Sequence, residues 1–470
     1  MRRPAIDFVR TSEAALAAPT LHASVRRAMV RFRELQRAVI GEVLDWQALR
    51  EHAHRVRMHT LAHLDRYLEQ LQDRVSAAGG RVHWARDAAQ ARSLITSLVR
   101  ARGGRTVVKS KSMTSEEIEL NGALEAAGCQ VVETDLGEYL LQLAGDRPAH
   151  LIAPAIHRSK DDIARLLSRR LGVPVYDDPA DLTRVARQVL RKAFLAADVG
   201  ISGVNFAVAE TGTLVIVENE GNARLTTTLP RVHIALMGLE KVVPRLADLA
   251  VFLTLLPRAA TGQRLSSYVS WITGPRRPGE ADGPDELHLV ILDNGRSSIA
   301  ADPVMVEALA CIRCGACLDV CPVFERTAGH AYGSVYSGPI GAVVTPLLVG
   351  LDRAGQLPFA SSLCGACGEV CPVGIDLARL LLELRARVVA RGGAAVAERM
   401  FVRGWTAVMS RASRLQVAGR LARWALRIVR RRGPLFYPLS AWTRSREVPV
   451  APPAAFRDLW ERVRREEKGP

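Results

Sequence analysis

Through residues 20–78 apolar side chains recur at every third or fourth position. Val56, Leu61, Leu64 and Leu68 form one such stripe with charges between them, which predicts long helices. The pair Gly79-Gly80 ends the last of them. Beyond it the period alternates. Residues 81–85, 106–109, 130–134 and 151–155 read as strands, and 87–102, 115–127 and 160–170 as helices, with Thr114 as N-cap of the second helix. Strands alternating with helices predict a mostly parallel sheet covered by helices. From Gly200 the pattern changes. Two strand-like runs, 203–209 and 213–218, flank the turn Glu210-Thr211-Gly212. Residues 232–238 and 287–292 are further strands, and 274–284, rich in Gly, Pro and charge, is a surface loop. Two amphipathic helices follow, at 376–391 and 411–432. In the second, Val417, Leu421, Trp424 and Ile428 share one face and Arg420, Arg423, Arg427 and Arg430 another.

Two cysteine runs interrupt this pattern and carry its chemistry. The first is Cys311-Ile-Arg-Cys314-Gly-Ala-Cys317-Leu-Asp-Val-Cys321-Pro322; the second is Cys364-Gly-Ala-Cys367-Gly-Glu-Val-Cys371-Pro372. The first has the ligand spacing of bacterial-type [4Fe–4S] ferredoxins, in which the fourth cysteine ligates the other cluster. By that rule Cys311, Cys314, Cys317 and Cys371 hold cluster 1, and Cys321, Cys364 and Cys367 hold cluster 2. Ser361 stands where a fourth ligand of cluster 2 would be. Cluster 2 is then [4Fe–4S] with a serine, water or other fourth ligand, or [3Fe–4S]. Zinc also uses C-x2-C pairs, but seven cysteines with two Cys-Pro endings divide badly into four-ligand zinc sites. The eighth, Cys129, sits in an apolar stretch and reads as a small buried hydrophobe. The glycine–aromatic segment 329–339 between the runs is a candidate cover for a cluster.

Length and composition bound the rest. A chain of 470 residues, 48% hydrophobic, has room for two or three domains. No apolar h-region follows the first residues and no stretch reaches membrane-spanning length, so the cytoplasm is the expected location. Of the net charge of +16, residues 401–470 hold +11. That basic tail suits an acidic partner or an anionic membrane surface, giving peripheral attachment. Interleaved aromatics and a nucleic-acid-binding fold are missing, so no nucleic acid is expected. Without a G-x-G-x-x-G fingerprint, nothing supports bound NAD or flavin.

Weaker candidates lie upstream. Lys109 and Lys111, around Ser110 and Ser112 after a strand, can cradle an anion. Glu210, beside Thr211 and Gly212 at a strand end, can form a site corner, with Arg224 nearby in sequence. His59 and His63 share a helix face and could hold a metal, though an exposed face is the plainer reading; His157 and His233 read as structural.

Taken together, these residues resemble the lactate-utilisation iron–sulfur proteins of the LutB (LldF) type. The resemblance runs through His59-Thr-Leu-Ala-His-Leu-Asp-Arg-Tyr67, Val108-Lys-Ser-Lys-Ser-Met113, Glu133-Thr-Asp-Leu-Gly-Glu-Tyr139, Ala207-Val-Ala-Glu-Thr-Gly-Thr213, Ile291-Leu-Asp-Asn-Gly-Arg296 and both cysteine runs. It implies an α/β lactate-utilisation (LUD) domain similar to the sugar-isomerase and CoA-transferase group, at residues 79–300. An N-terminal helical region (1–78), a two-cluster ferredoxin-like domain (301–391) and a basic helical C-terminal region (392–470) surround it. It further implies two [4Fe–4S] clusters, and electron transfer beside two partner proteins in oxidising L-lactate to pyruvate. Two alternatives are a LUD domain that itself binds a 2-hydroxy acid, with Lys109, Lys111, Arg224 or Glu210 as clamp and base, and an assembly scaffold docked through the tail.

Overall fold

The computed structural model describes residues 5–393, 396–432, 443, 447 and 449–467. The chain forms two compact units, residues 1–388 and 389–470.

In the first unit, six parallel strands form the central sheet in the order β1-β10-β7-β4-β2-β3. They are β1 (Arg81–Ala85), β2 (Thr106–Lys109), β3 (Gln130–Glu133), β4 (Val199–Gly203), β7 (Val232–Gly238) and β10 (Glu286–Leu292). A second, four-stranded sheet has the order β8-β5-β6-β9, with β5 (Phe206–Val208), β6 (Thr213–Glu218), β8 (Val242–Val243) and β9 (Tyr268–Ile272). Every residue of β7 is buried, as a central strand covered on both faces requires. Its period of two sorts the core. Val232, Ile234 and Leu236 face Ile95 and Val99 of helix Ala88–Ala101 and Leu124 of helix Leu120–Ala126. Ala235 and Met237 face Leu68, Leu71 and Val75 of helix Leu64–Ala77.

A third core joins the N-terminal helices to the cysteine module. Val25, Met29 and Ala53 pack in one cluster with Cys314, Cys317, Cys321, Cys367 and Cys371. Buried Asp319, inside the first cysteine run, accepts from Gln36 Nε2 at 2.8 Å. Beneath the cysteine loops lies helix Gly338–Val349, whose residues from Gly338 to Pro346 are all buried.

Three expected elements differ. The helix expected at 115–127 is two helices, Met113–Glu117 and Leu120–Ala126, broken at Glu119 (φ 53°). Its N-cap is Ser112, whose Oγ accepts from Ser115 N, and not Thr114. The break lets Glu117 turn inward to Arg296. The strand expected at 151–155 is a turn: His150 Nδ1 accepts from both Ile152 N and Ala153 N, and Pro154 has no N–H to give a ladder. In place of one strand at 203–209 there are two, β4 and β5. At Gly200 in β4 a Cβ would lie 1.8 Å from Thr226 O, so only glycine lets helix Asn222–Thr228 sit against that strand.

The second unit contains helices Val396–Met409, Ala412–Arg432 and Phe456–Glu467. Met400, Phe401, Trp405, Leu421, Trp424 and Trp460 are exposed on them. The side chain of Arg430, expected on the basic face, lies outside the described residues. Among the described residues, no helix is long and apolar enough to cross a membrane.

Candidate iron–sulfur centres and the adjoining cavity

The first cysteine run is a loop wound by left-handed backbone at Arg313 (φ 62°) and Gly315 (φ 80°), after which helix Ala316–Asp319 carries Cys317. Arg313 N donates to Cys311 Sγ at 3.3 Å, and Phe324 N to Cys321 Sγ at 3.5 Å. In the second run Gly365 (φ 86°) precedes helix Ala366–Glu369, which carries Cys367, and Ile375 N donates to Cys371 Sγ at 3.4 Å.

The structure brings the thiols together across the two runs. Cys314 and Cys317 lie within electrostatic reach of both Cys311 and Cys371. Cys321 neighbours Cys364, and Cys367 neighbours Cys321 and Cys364. Burial, reinforced by the neighbouring sulfurs, pushes Cys314 and Cys317 well up, Cys367 to about 12 and Cys371 to about 11. Such crowded, buried thiols are poor thiolates on their own, and a cationic metal core supplies the countercharge that would ionise them. Four soft donors in one group, three in the other, and N–H groups aimed at sulfur fit two iron–sulfur clusters. In the candidate cover, segment 329–339, Tyr332 is fully buried and lies within electrostatic reach of both Cys317 and Cys321.

Buried arginines anchor these loops. Arg57, 1% exposed, donates to Ala310 O and Leu309 O just before Cys311, and to Val242 O and Glu240 O at the β7–β8 connection. Arg296 grips Glu117 with two bonds of 2.9 and 2.7 Å and Glu240 with one of 2.8 Å; Tyr336 Oη also donates to Glu117. Burial opposes ionisation of Glu240, yet Arg296, Lys241 and Arg313 hold it down at about 2.

Between the sheet and the first cysteine loop lies a cavity of about 300 Å³. It opens at the carboxyl ends of β2, β3, β4 and β7, where parallel α/β sheets place their ligands. Its charged lining is Lys111, Asp135, Glu218, Glu220, Lys241 and Arg313. Lys111 Nζ donates to Ile152 O at 2.6 Å. Burial pulls Lys241 down to about 8. Arg313 lies with its guanidinium 4.5 Å above the Tyr336 ring, its Nη2 3.7 Å from Glu240 Oε1, and its buried Nη1 without a hydrogen-bond partner.

Of the expected anion-binding residues, Lys111 lines this cavity together with Ser110 and Ser112. Lys109 is fully buried and committed to Glu133 (2.8 Å), Glu116 (3.0 Å) and Ser115 (2.9 Å). Glu210 is exposed and accepts from Leu246 N, capping helix Leu246–Thr261. Arg224 is exposed, its guanidinium 5.9 Å from the Tyr268 ring. His59 engages Tyr67 Oη and lies tilted against His63, ring centroids 4.5 Å apart; His233 is bonded to Ser202 and held neutral by burial, at about 3. His157 bonds Asp146, which Arg158 also holds. Lys241 and Arg313 escape sequence reasoning because they come from separate elements; the one signal is an arginine placed inside a cysteine run.

An α/β domain whose strand ends face a two-run cysteine module defines a LUD-domain iron–sulfur protein, and family comparison agrees. The LUD domain matches residues 68–292 and the 4Fe-4S dicluster domain residues 307–375. The chain is 46% identical over 454 residues to lactate utilization protein B of Bacillus licheniformis, covering 96% of this chain and 95% of that protein. It is 46% identical over 432 residues to lactate utilization protein B of Geobacillus kaustophilus, covering 90% of each. To an Escherichia coli protein described as an uncharacterized electron transport protein, YkgF, it is 42% identical, covering 98% of each. The chain belongs to the lactate utilization protein B family.

Proposed function

We propose that this chain is the electron-relaying iron–sulfur subunit of a multi-protein system that oxidises L-lactate to pyruvate, working beside two partner proteins. The observation that carries this reading is the grouping of thiols into two adjoining sets, with Tyr332 beside both, in one compact unit with the LUD sheet. Cys311, Cys314, Cys317 and Cys371 would hold one cluster and Cys321, Cys364 and Cys367 the other. Bound clusters supply one-electron transfer. The chain's own residues bury the sulfurs, donate N–H groups to them and clamp the loops through Arg57. Reconstituted protein is expected to bind about eight iron atoms per chain and to cycle reversibly by single electrons. L-lactate should reduce it only when the partner proteins are added. A colourless zinc-loaded protein, or iron that does not cycle, would overturn the relay.

A second reading is favoured by the unpartnered Arg313 Nη1. In it, the cavity binds the carboxylate of a 2-hydroxy or 2-oxo acid between Lys241 and Arg313, while Asp135, Glu218 and Glu220 disfavour a doubly charged phosphate. Calorimetric titration of the cluster-loaded protein with L-lactate and with pyruvate should show saturable binding, weakened roughly tenfold in Lys241→Gln, the loss of one charge-assisted contact. Absence of binding while both clusters remain intact would sink this reading and leave the relay standing.

A further inference from the structure

The two cysteine loops match position by position, and the match extends past the cysteines. In the first, Cys311 is followed by left-handed Arg313 (φ 62°), Cys314, left-handed Gly315 (φ 80°) and helix Ala316–Asp319. In the second, Ser361 is followed by left-handed Leu363 (φ 56°), Cys364, left-handed Gly365 (φ 86°) and helix Ala366–Glu369. Arg313 N donates to Cys311 Sγ at 3.3 Å; Leu363 N donates to Ser361 Oγ at 3.1 Å. Leu318 N bonds Gly315 O at 2.8 Å, and Gly368 N bonds Gly365 O at 2.9 Å.

A serine hydroxyl accepting from the N–H two residues on is by itself a common turn. The turn alone does not call for a leucine at positive φ, a conformation that costs on the order of 1 kcal/mol or more and gathers at functional sites. Here that conformation recurs at the same place in the loop where Cys311 is presented to Cys314 and Cys317. Ser361 is also held in place. Arg385 donates to Ser361 O and to Pro358 O, each at 2.8 Å, locking the segment that enters the loop. The remaining cysteine, Cys129, lies in the core of the parallel sheet and cannot serve this loop.

We propose that Ser361 Oγ is the fourth protein ligand of the cluster held by Cys321, Cys364 and Cys367, occupying the corner that Cys311 takes in the other loop. The proposal rests on the two-cluster reading above. Ligation breaks the Ser361 O–H bond as the Fe–O bond forms, and the proton leaves to water at the edge where Cys364 is exposed. A hard alkoxide among soft thiolates makes one iron unlike the rest.

Mössbauer spectra of wild-type protein reconstituted with ⁵⁷Fe should therefore show about eight irons per chain, one of them distinct. Ser361→Cys should keep about eight irons and abolish the distinct site. Ser361→Ala should fall to about seven irons and show the electron paramagnetic resonance signal of an oxidised three-iron cluster, with the other cluster's signal unchanged. Eight irons and a wild-type spectrum in Ser361→Ala would overturn the ligand assignment alone, as would seven irons in the wild type. A wild type limited to about four irons would overturn the two-cluster reading and this proposal together.

Discussion

Replacing Cys371 with alanine is expected to abolish the four-iron form of the cluster whose other three ligands lie in the opposite run, and to spare the cluster nearest to it in sequence. Its neighbours decide this: Cys371 sits with Cys311, Cys314 and Cys317, while Cys364 and Cys367 sit with Cys321. One of two reduced-state paramagnetic signals should vanish, with iron content falling by about one atom if three cysteines retain a three-iron cluster and by about half if they do not. Cys321→Ala is the mirror experiment and should remove the other signal. Cys314→Ala assigns the signals: it should remove the same signal as Cys371→Ala, whereas if each run held its own cluster it would match Cys321→Ala instead.

Arg296→Met is expected to cost about 3–5 kcal/mol, because it strips buried Glu117 of its cation and leaves buried Glu240 with only Lys241 and the more distant Arg313. Glu117 loses its two-bond partner and Glu240 its closest one. Urea denaturation should show a lower midpoint, and Arg296→Lys should recover only part of it, since an ammonium cannot reproduce the fork. The pH dependence follows from the two carboxyls. Burial opposes their ionisation, but Arg296 holds both below the usual range, Glu240 at about 2. Their contribution to wild-type stability is thus complete above about pH 4.5 and is lost as pH falls toward 2. In Arg296→Met the orphaned carboxyls protonate more readily. The gap between variant and wild type should therefore narrow on acidification from pH 7 to 5. A gap that widens would show that the network does not carry the stability assigned to it.

Local patterns announced several strands of the central sheet. The expected bounds of β1, β2 and β7 are those found; β7 is buried on both faces, and edge strand β1 is bounded by Gly79-Gly80 before it and by helix Ala88–Ala101 after it. β4 was hidden by Gly200, whose missing side chain answers to Thr226, a residue outside its own strand. The break between Met113–Glu117 and Leu120–Ala126 was equally hidden. It serves Arg296, and nothing local to residues 115–127 reveals that partner. The cysteine runs declare soft-metal chemistry through spacing alone, since one loop must wrap one cluster. The cavity is the opposite case. Lys111 stood out beside its serines, but Lys241 and Arg313 join it only when β2, β7 and the first cysteine loop converge, and Lys241 looks like an ordinary surface cation when read in place.

Arg313 belongs to two sites at once. Its N–H holds the Cys311 sulfur, and its guanidinium lines the cavity. A molecule that draws that guanidinium pulls on the same residue that sets the electron density at sulfur. If an occupant binds one redox state of the neighbouring cluster more tightly than the other, cavity occupancy and redox state are linked, and the linkage is reciprocal. A ligand that prefers the oxidised form tenfold would lower the one-electron potential by about 59 mV, and reduction would weaken that ligand's hold by the same factor. With such a ligand the loop would act as a valve, letting go of its occupant as the electron arrives.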